Sequence, residues 1–417
     1  MKRILTLLCM FVLVTSMQAQ KKKAISQPRL PQITLEEALA QYDFDSAEKL
    51  LNNEIATLKK RKQPTLQQES KLQWLHKAQI KLNAVERVTF VDSLVVLRQD
   101  VLSHIHLNPE CGSLHHLADV FHVTDTLDCT AFKSEMGDQV FFAQPDNQGS
   151  ISLYMRDIYG DGSSSDAILL NGISNGEEHQ NYPFMLTDGT TIYFAAQGAE
   201  SLGGYDIFMS RYDADEHRFL TPENIGMPFN SLANDYLYVI DELNHLGWFV
   251  TDRNMPADSV CIYTFIPNET RQVYVPEEME PGMLRERARI TSIRDTWTDE
   301  QTLRAAQFRI REAMATKQAE TDSEFDFVVT DNRVYHRHSD FRSDIAQKHF
   351  DSWLYAKSEL EKTRRTLARL RQNYHQATAS QRQQMTGEIL SLEQSEETLL
   401  GKIKQLEKDM RKAEIGL

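Results

Sequence analysis

Tyr182-Pro183-Phe184-Met185-Leu186-Thr187-Asp188-Gly189-Thr190-Thr191-Ile192-Tyr193-Phe194-Ala195-Ala196 is the stretch that decides how this chain folds. Aromatic and β-branched residues run up to Asp188-Gly189 and resume after it, and an Asp-Gly pair between two such runs is turn chemistry joining two strands. Working outward, the second run has two counterparts. Gly137-Asp138-Gln139-Val140-Phe141-Phe142-Ala143 aligns with Gly189 to Ala195, and Leu246-Gly247-Trp248-Phe249-Val250-Thr251-Asp252 is a weaker third copy. The equivalent phenylalanines, Phe142, Phe194 and Phe249, stand 52 and 55 positions apart. Each copy is followed by a loop and a further strand-like run, beginning at Ser152, Tyr205 and Cys261. A turn and two strands recurring at about 50 residues is the signature of propeller blades. Glycine usage agrees, since 12 of the 17 glycines lie between Thr124 and Val275. The structural residues of the repeat are expected to be Gly137, Phe142, Asp188, Gly189, Tyr193, Phe194, Gly203, Gly204 and Phe249.

These residues resemble the TolB-type, WD-like propeller repeat of bacterial envelope proteins, and Tyr182 to Ala196 is similar to its core motif almost throughout. Gly203-Gly204-Tyr205-Asp206-Ile207-Phe208, with Pro222-Glu223-Asn224-Ile225-Gly226 and Phe229-Asn230-Ser231, resembles the variant found in Bacteroidetes envelope proteins. Those proteins join helical repeats, a propeller and often an OmpA-like domain. No OmpA-like stretch is read after the repeats, so the peptidoglycan anchoring of such relatives is not expected. Three repeats are fewer than the roughly four blades of the smallest usual propeller. Either the domain is open, or the flanks supply strands: Val88 to Leu97 upstream, or Phe325 to Val329 with Arg333 to His336 downstream.

The flanks read as helical. After a signal peptide (1–19) and a leader (20–33), Thr34 and Glu37 have capping-box spacing. They open a helical hairpin over 34–87, with Leu35, Leu39, Leu50, Leu51, Ile55 and Leu58 on one period and a polar break at Tyr42 to Asp45. Pro64 ends that unit, and Leu72, Leu75, Ala78 and Leu82 form the next face; Tyr42 to Leu51 resembles the turn of a tetratricopeptide unit. Over 88–123, Val88 to Val91 and Leu94 to Leu97 read as a connecting strand pair around Asp92-Ser93, or as strands completing something downstream. The repeats occupy 124–275. A linker, a helix from Thr298 to about Lys317 and the possible closing strands fill 276–344. Over 345–417 there is no proline, and Leu360, Leu367, Leu370 and Tyr374, then Leu392, Leu399, Ile403, Leu406 and Met410, keep a heptad-like spacing. Ala377 to Ser380 reads as the turn of an antiparallel coiled-coil hairpin, with self-association through 345–417 or one long helix on its own protein as alternatives. The expected class is thus multidomain α and β: a helical hairpin layer, an antiparallel propeller-like centre and a coiled coil.

Charge and short motifs narrow the function. Lys2 and Arg3, an apolar run from Ile4 to Val14 and the polar stretch to Ala19 have the layout of a secretory signal, with cleavage expected after Ala19. The run is too short for a membrane span, which needs about 20 residues; a retained anchor and lipidation at Cys9 are the alternatives. Cys111, Cys129 and Cys261 then remain, an odd number that allows at most one disulfide. Between Thr124 and Val275 stand 6 lysines and arginines against 23 aspartates and glutamates, a balance of −17 in a chain whose total is −14. That segment repels phosphate backbones, so no nucleic-acid partner is expected. No GxSxG or comparable nucleophile signature occurs, and the largely helical chain after Val275 is too short for a hydrolase domain, so no catalytic residue is assigned. Asp157, Asp161 and Asp166 cluster in one loop, but Tyr159 interrupts the alternation a calcium loop needs. His115-His116 and Glu177-Glu178-His179 lack ligand partners at zinc spacing; no metal or cofactor is expected. Tyr205, Asp206 and Trp248 have two readings each, as blade structure or as a partner-binding mouth. The expectation is an exported periplasmic or outer-membrane-associated scaffold that binds envelope proteins. Glycan or peptidoglycan binding and a divergent hydrolase are the alternatives.

Overall fold

Short runs of alternating aromatic, β-branched and small residues build the middle of the chain into three antiparallel sheets, seen in a computed structural model that describes residues 33–121, 128–146, 149–159, 163–173, 179–321, 325, 327–330 and 333–416. The expected signal peptide, all of the expected leader but its last residue, Gly160 to Gly162 and Glu177-Glu178 lie outside the described residues.

The first sheet runs in the order β2 (Ser113–His116), β3 (Thr130–Lys133), β4 (Gln139–Pro145), β5 (Ile151–Asp157) and β6 (Ile168–Leu169). The second contains β7 (His179–Met185), β8 (Thr191–Gln197), β9 (Asp206–Asp213) and β10 (Arg218–Phe219), with β11 (Glu223–Asn224) also on β9. The third combines β12 (Asp235–Asp241), β13 (Leu246–Thr251) and β14 (Ser259–Ile266) with β1 (Thr89–Leu97) from far upstream. Of the stretch Val88 to Leu97, Thr89 to Leu97 is therefore one strand and not a pair. Its register on β14 runs from Thr89 opposite Ile266 to Leu97 opposite Ser259, and a shift between Phe90 and Asp92 absorbs the polar break as a bulge. The strand thus completes a sheet, as one of the two readings held. β2 joins the first sheet by pairing with β3, so both strands between residues 89 and 116 belong to sheets of the central body.

The downstream donors behave otherwise. β15 (Phe327–Thr330) and β16 (Arg333–Tyr335) pair only with each other. Phe327 and Tyr335 bury against Phe341, whose ring lies 5.5 and 5.0 Å from theirs, so this hairpin belongs to the C-terminal helices and closes no sheet.

Phe142, Phe194 and Phe249 are all buried in β4, β8 and β13, the second long strand of each repeat. Gly137 and Gly189 close the preceding turns at φ 68° and 66°, where a side chain is disfavoured. In the third copy His245 takes the left-handed position instead, and Gly247 serves packing: a Cβ there would lie 2.3 Å from the Phe265 ring. The sheets pack in chain order. Phe132 and Phe184, 5.2 Å apart, join the first to the second, and Tyr193 with Tyr238, 4.8 Å apart, joins the second to the third. Between the latter two lies an aromatic core of Phe90, Phe229, Tyr238, Phe249, Tyr263 and Phe265. Among the described residues the strands form separate sheets and no hydrogen-bonded barrel.

Helices cover this body. α1 (Leu35–Ala40) begins with the expected Thr34–Glu37 capping box, and Tyr42, at φ 55°, separates it from α2 (Phe44–Lys60). α2 and α3 (Leu66–Asn83) bury Leu51, Leu75 and Leu82 against Leu202 and Met227 of the sheet loops, so the helical layer shares a core with the sheets. Between β3 and β2 the chain passes through α4 (Leu117–Phe121); after β14 come α5 (Met283–Arg289) and α6 (Glu300–Thr321), the latter against β1 and β13. α7 (Asp344–Gln376) and α8 (Ala379–Ile415) form the expected hairpin, turning at Ala377-Thr378. Leu360, Leu367, Ile403 and Met410 are buried, Arg364–Glu396 (2.6 Å) and Arg371–Glu393 (2.9 Å) flank the seam, and the buried Glu414 accepts from Tyr335, Arg342 and Ser343 at the base.

Candidate functional site

Gly203 and Gly204 bring the chain into β9 against the loop before β12 so closely that a Cβ on either would sit 2.1 Å from Ala233 O or 1.9 Å from Asn234 Oδ1. This close approach turns Asp206 inward. Its carboxylate accepts from the amides of Leu202 (2.9 Å) and Gly203 (3.3 Å) and from Asn224 Nδ2 (2.6 Å). Burial, with the Asp235 charge nearby, pushes its pKa up to about 7 despite those donors. Asn224 Oδ1 accepts in turn from Gly226 N and Asn230 Nδ2, and Asn230 exchanges two bonds with the backbone of Ile207. The Pro222 to Ser231 motif is thus a buried brace between the second and third sheets.

The brace ends on an ion pair. Asp235 accepts from Ser231 N (2.6 Å) and Oγ (2.9 Å) and faces Arg253 at 2.9 Å, both side chains being almost fully buried. Arg253 also donates to Phe229 O (2.6 Å) and Ala288 O (3.3 Å), tying α5 to the sheets. Neither residue was expected from motif spacing. One signal was available: Arg253 is among only 6 basic residues in a segment with 23 acidic ones.

Of the three predicted mouth residues, the structure leaves only Tyr205 partly open. Trp248 is 3% exposed in the third sheet, and Asp206 is fully buried, so neither reaches a partner. Tyr205 joins Tyr236, 6.0 Å away, which is 5.7 Å from Tyr182 and lies under the Arg98 guanidinium at 5.9 Å. The Tyr236 hydroxyl donates to Asp252 (2.8 Å), itself held by Asn234, beside a hollow of about 120 Å³. Asp188 is a turn residue: bonds from Thr191 and Thr190 outweigh its partial burial and hold its pKa below the usual carboxylate range.

A larger cleft, of about 310 Å³, opens between the outer strands of the first and second sheets. Phe141, Met155 and Leu169 form one wall and Met185, Tyr212 and Phe219 the other. The walls are pinned together where Phe219 N donates to Asn171 O (2.9 Å), and Gly172, at φ 96°, permits this, since a Cβ would lie 2.0 Å from Phe219 O.

The thiols offer no nucleophile. All three are free and buried; burial pushes Cys129 up to about 12 and moves Cys111 and Cys261 in the same direction. Among the described residues no three histidine, cysteine or acidic side chains gather as metal ligands. No family model, curated protein or solved structure matches the chain.

Proposed function

We propose that the chain is a non-catalytic exported envelope protein that works as a protein-interaction scaffold, its three sheets being blades of a TolB-like, propeller-type body and its C-terminal hairpin a second arm. The observation that carries this reading is where the polar groups go. Asp206, Asp235, Arg253 and Glu414 are all buried and used to hold loops and helix ends, so these four do not reach a substrate. Apolar surface also faces outward at two places: the cleft beside Leu169, and the outer β1 strand with Leu94, Val95 and Leu97 exposed. Exposed apolar surface of this kind marks binding sites for other proteins.

The propeller-type body rests on equivalent residues of three repeats in equivalent strands, with β1 bringing the third sheet to four. Export rests on the layout of residues 1–19 and fits three thiols kept protonated by burial. No helix among the described residues is long and apolar enough to cross a membrane. Glycan binding has less support, because Trp248 and Tyr236 are buried and so present no stacking face. Affinity purification of the full chain from its native envelope, with reciprocal capture, tests the scaffold reading. A heterologous envelope protein recovered in both directions is expected, and recovery of the chain alone would overturn it.

A further inference from the structure

We propose that the open edge of β1 pairs antiparallel with β1 of a second copy of this chain, joining the third sheets of the two copies across a two-fold axis at Val95. The pairing goes beyond the scaffold reading and stands or falls without it. β1 is the last strand of its sheet, with β14 on one side and, among the described residues, no strand on the other. Arg98 N donates to Asp258 O (2.9 Å), one step past the pair in which Leu97 lies opposite Ser259. Antiparallel neighbours alternate between bonded and non-bonded pairs, so Leu94 and Val96 share the phase of Arg98 and turn their amides and carbonyls to β14. Ser93, Val95 and Leu97 therefore turn theirs outward.

The outer edge is protected only in its first part. Phe90 N donates to Thr296 Oγ1 (3.1 Å), Phe90 O accepts from Trp297 Nε1 (2.7 Å), and the bulge before Asp92 interrupts the edge there. From Ser93 to Leu97 no proline, charge or bulge follows, and the side chains of Leu94 (46% exposed), Val95 (57%) and Leu97 (49%) are uncovered. Ser93 N is held by Asp92 Oδ1 (2.8 Å), whereas among the described residues nothing meets the outward groups of Val95 and Leu97. An edge left in this state recruits another strand.

The strand's own register selects a second copy. Outward groups must meet outward groups, and pairing about Val95 engages all of them: Val95 with itself, and Ser93 with Leu97 in both directions. Each such pair exchanges two N–H···O bonds. The same register sets Leu94 opposite Val96 of the second copy, apolar against apolar, and Asp92 opposite its Arg98. Asp92 has no cation partner among the described residues, and Arg98, its side chain 43% exposed, has only Asp128 at the long distance of 3.9 Å. Asp92, in turning to Arg98 of the second copy, releases the Ser93 amide to Leu97 of that copy. Both halves of the contact are the same surface, as an isologous dimer requires. A contact limited to Ser93 to Leu97 and its flanks lies at the low end of interface sizes, below about 1,200 Å², so monomer and dimer exchange with concentration.

The test is light scattering of the purified full chain over a concentration series, beside the variants Val95→Lys and Leu220→Lys. A dimer that dissociates on dilution is expected for the parent. Val95→Lys sets two cations against each other at the axis and should raise the dissociation constant at least tenfold. Leu220→Lys makes the same change at a comparably exposed apolar site (45%) just after β10 and should leave it unchanged. Both positions are exposed, so thermal unfolding of the two variants should match the parent. Val95→Cys, a change of little volume, gives a second readout: a short bis-maleimide should link it into covalent dimers, and should not link Leu220→Cys, the native thiols being buried. A monomer at every concentration overturns the proposal. So does a dimer that V95K leaves intact, which must form through another surface, or a V95C chain that links no better than L220C.

Discussion

Arg253→Met removes the cation on which the buried brace ends. Arg253 is 5% exposed and Asp235 is not exposed, and the two meet at 2.9 Å. At an effective dielectric of about 20, unit charges about 4 Å apart attract by about 4 kcal/mol. Removing one partner of such a pair costs about 3–5 kcal/mol, because the remaining charge stays buried. The guanidinium's bonds to Phe229 O and Ala288 O are lost as well. Methionine keeps the volume beside Phe249, whose ring the guanidinium covers at 5.2 Å, so cavity formation adds little. Urea unfolding followed by tryptophan fluorescence should therefore show the main transition destabilised by about 3–5 kcal/mol. Adding Asp235→Asn should recover more than half of that loss, since a neutral amide needs no counter-charge. A single variant within about 1 kcal/mol of the parent, or a double variant as unstable as the single, would refute the role given to this pair.

Four further outcomes are expected. Asp206 has a folded pKa of about 7, raised above its unfolded value of 3.8, so its contribution favours the fold at low pH and is lost as pH climbs through about 4 to 7. Asp206→Asn should flatten that part of a melting-temperature profile measured from pH 4 to 8, while lowering stability throughout because its –NH2 meets donors. Gly189→Ala, with open space around it, should cost about 1–2 kcal/mol for its left-handed backbone. Gly172→Ala should cost clearly more, because its Cβ also meets Phe219 O; chemical denaturation of the two variants side by side separates strain from clash. Glu414→Gln should weaken the base of the α7–α8 hairpin by about 1.5–3 kcal/mol, seen in helix-specific hydrogen exchange around Trp353 with the sheets unchanged.

The parts legible in the sequence were those fixed by local chemistry. The Asp188-Gly189 turn, the Thr34–Glu37 cap and the period that buries Phe142, Phe194 and Phe249 need only a few neighbouring residues. The heptad-like spacing and the small polar link at Ala377 likewise gave the α7–α8 hairpin. Pairings between distant segments were harder. Val88 to Leu97 carries the pattern of a strand, but nothing local tells it to join β14, some 170 residues on. Arg333 to His336 carries a similar pattern, yet its strand pairs only with β15 and joins none of the three larger sheets, because Phe341, Phe350 and Trp353 offer that hairpin another apolar surface. Asp206 and Trp248 misled for the same reason: exposure depends on what packs over a residue, and the Gly203-Gly204 approach and α6 cover them. The cleft at Leu169 has no sequence signature, since its walls come from two repeats.

Site-specific photo-crosslinking in the living cell, from probes placed in turn at Leu94, Leu169, Tyr212 and Leu243, tests most directly whether this body holds a partner. Leu94, Leu169, Tyr212 and Leu243 are all exposed, the first three on strands and the last in the turn between β12 and β13. If the body holds a partner, at least one of the four yields a discrete adduct with a different envelope protein. Adducts within the chain alone from every position would contradict it.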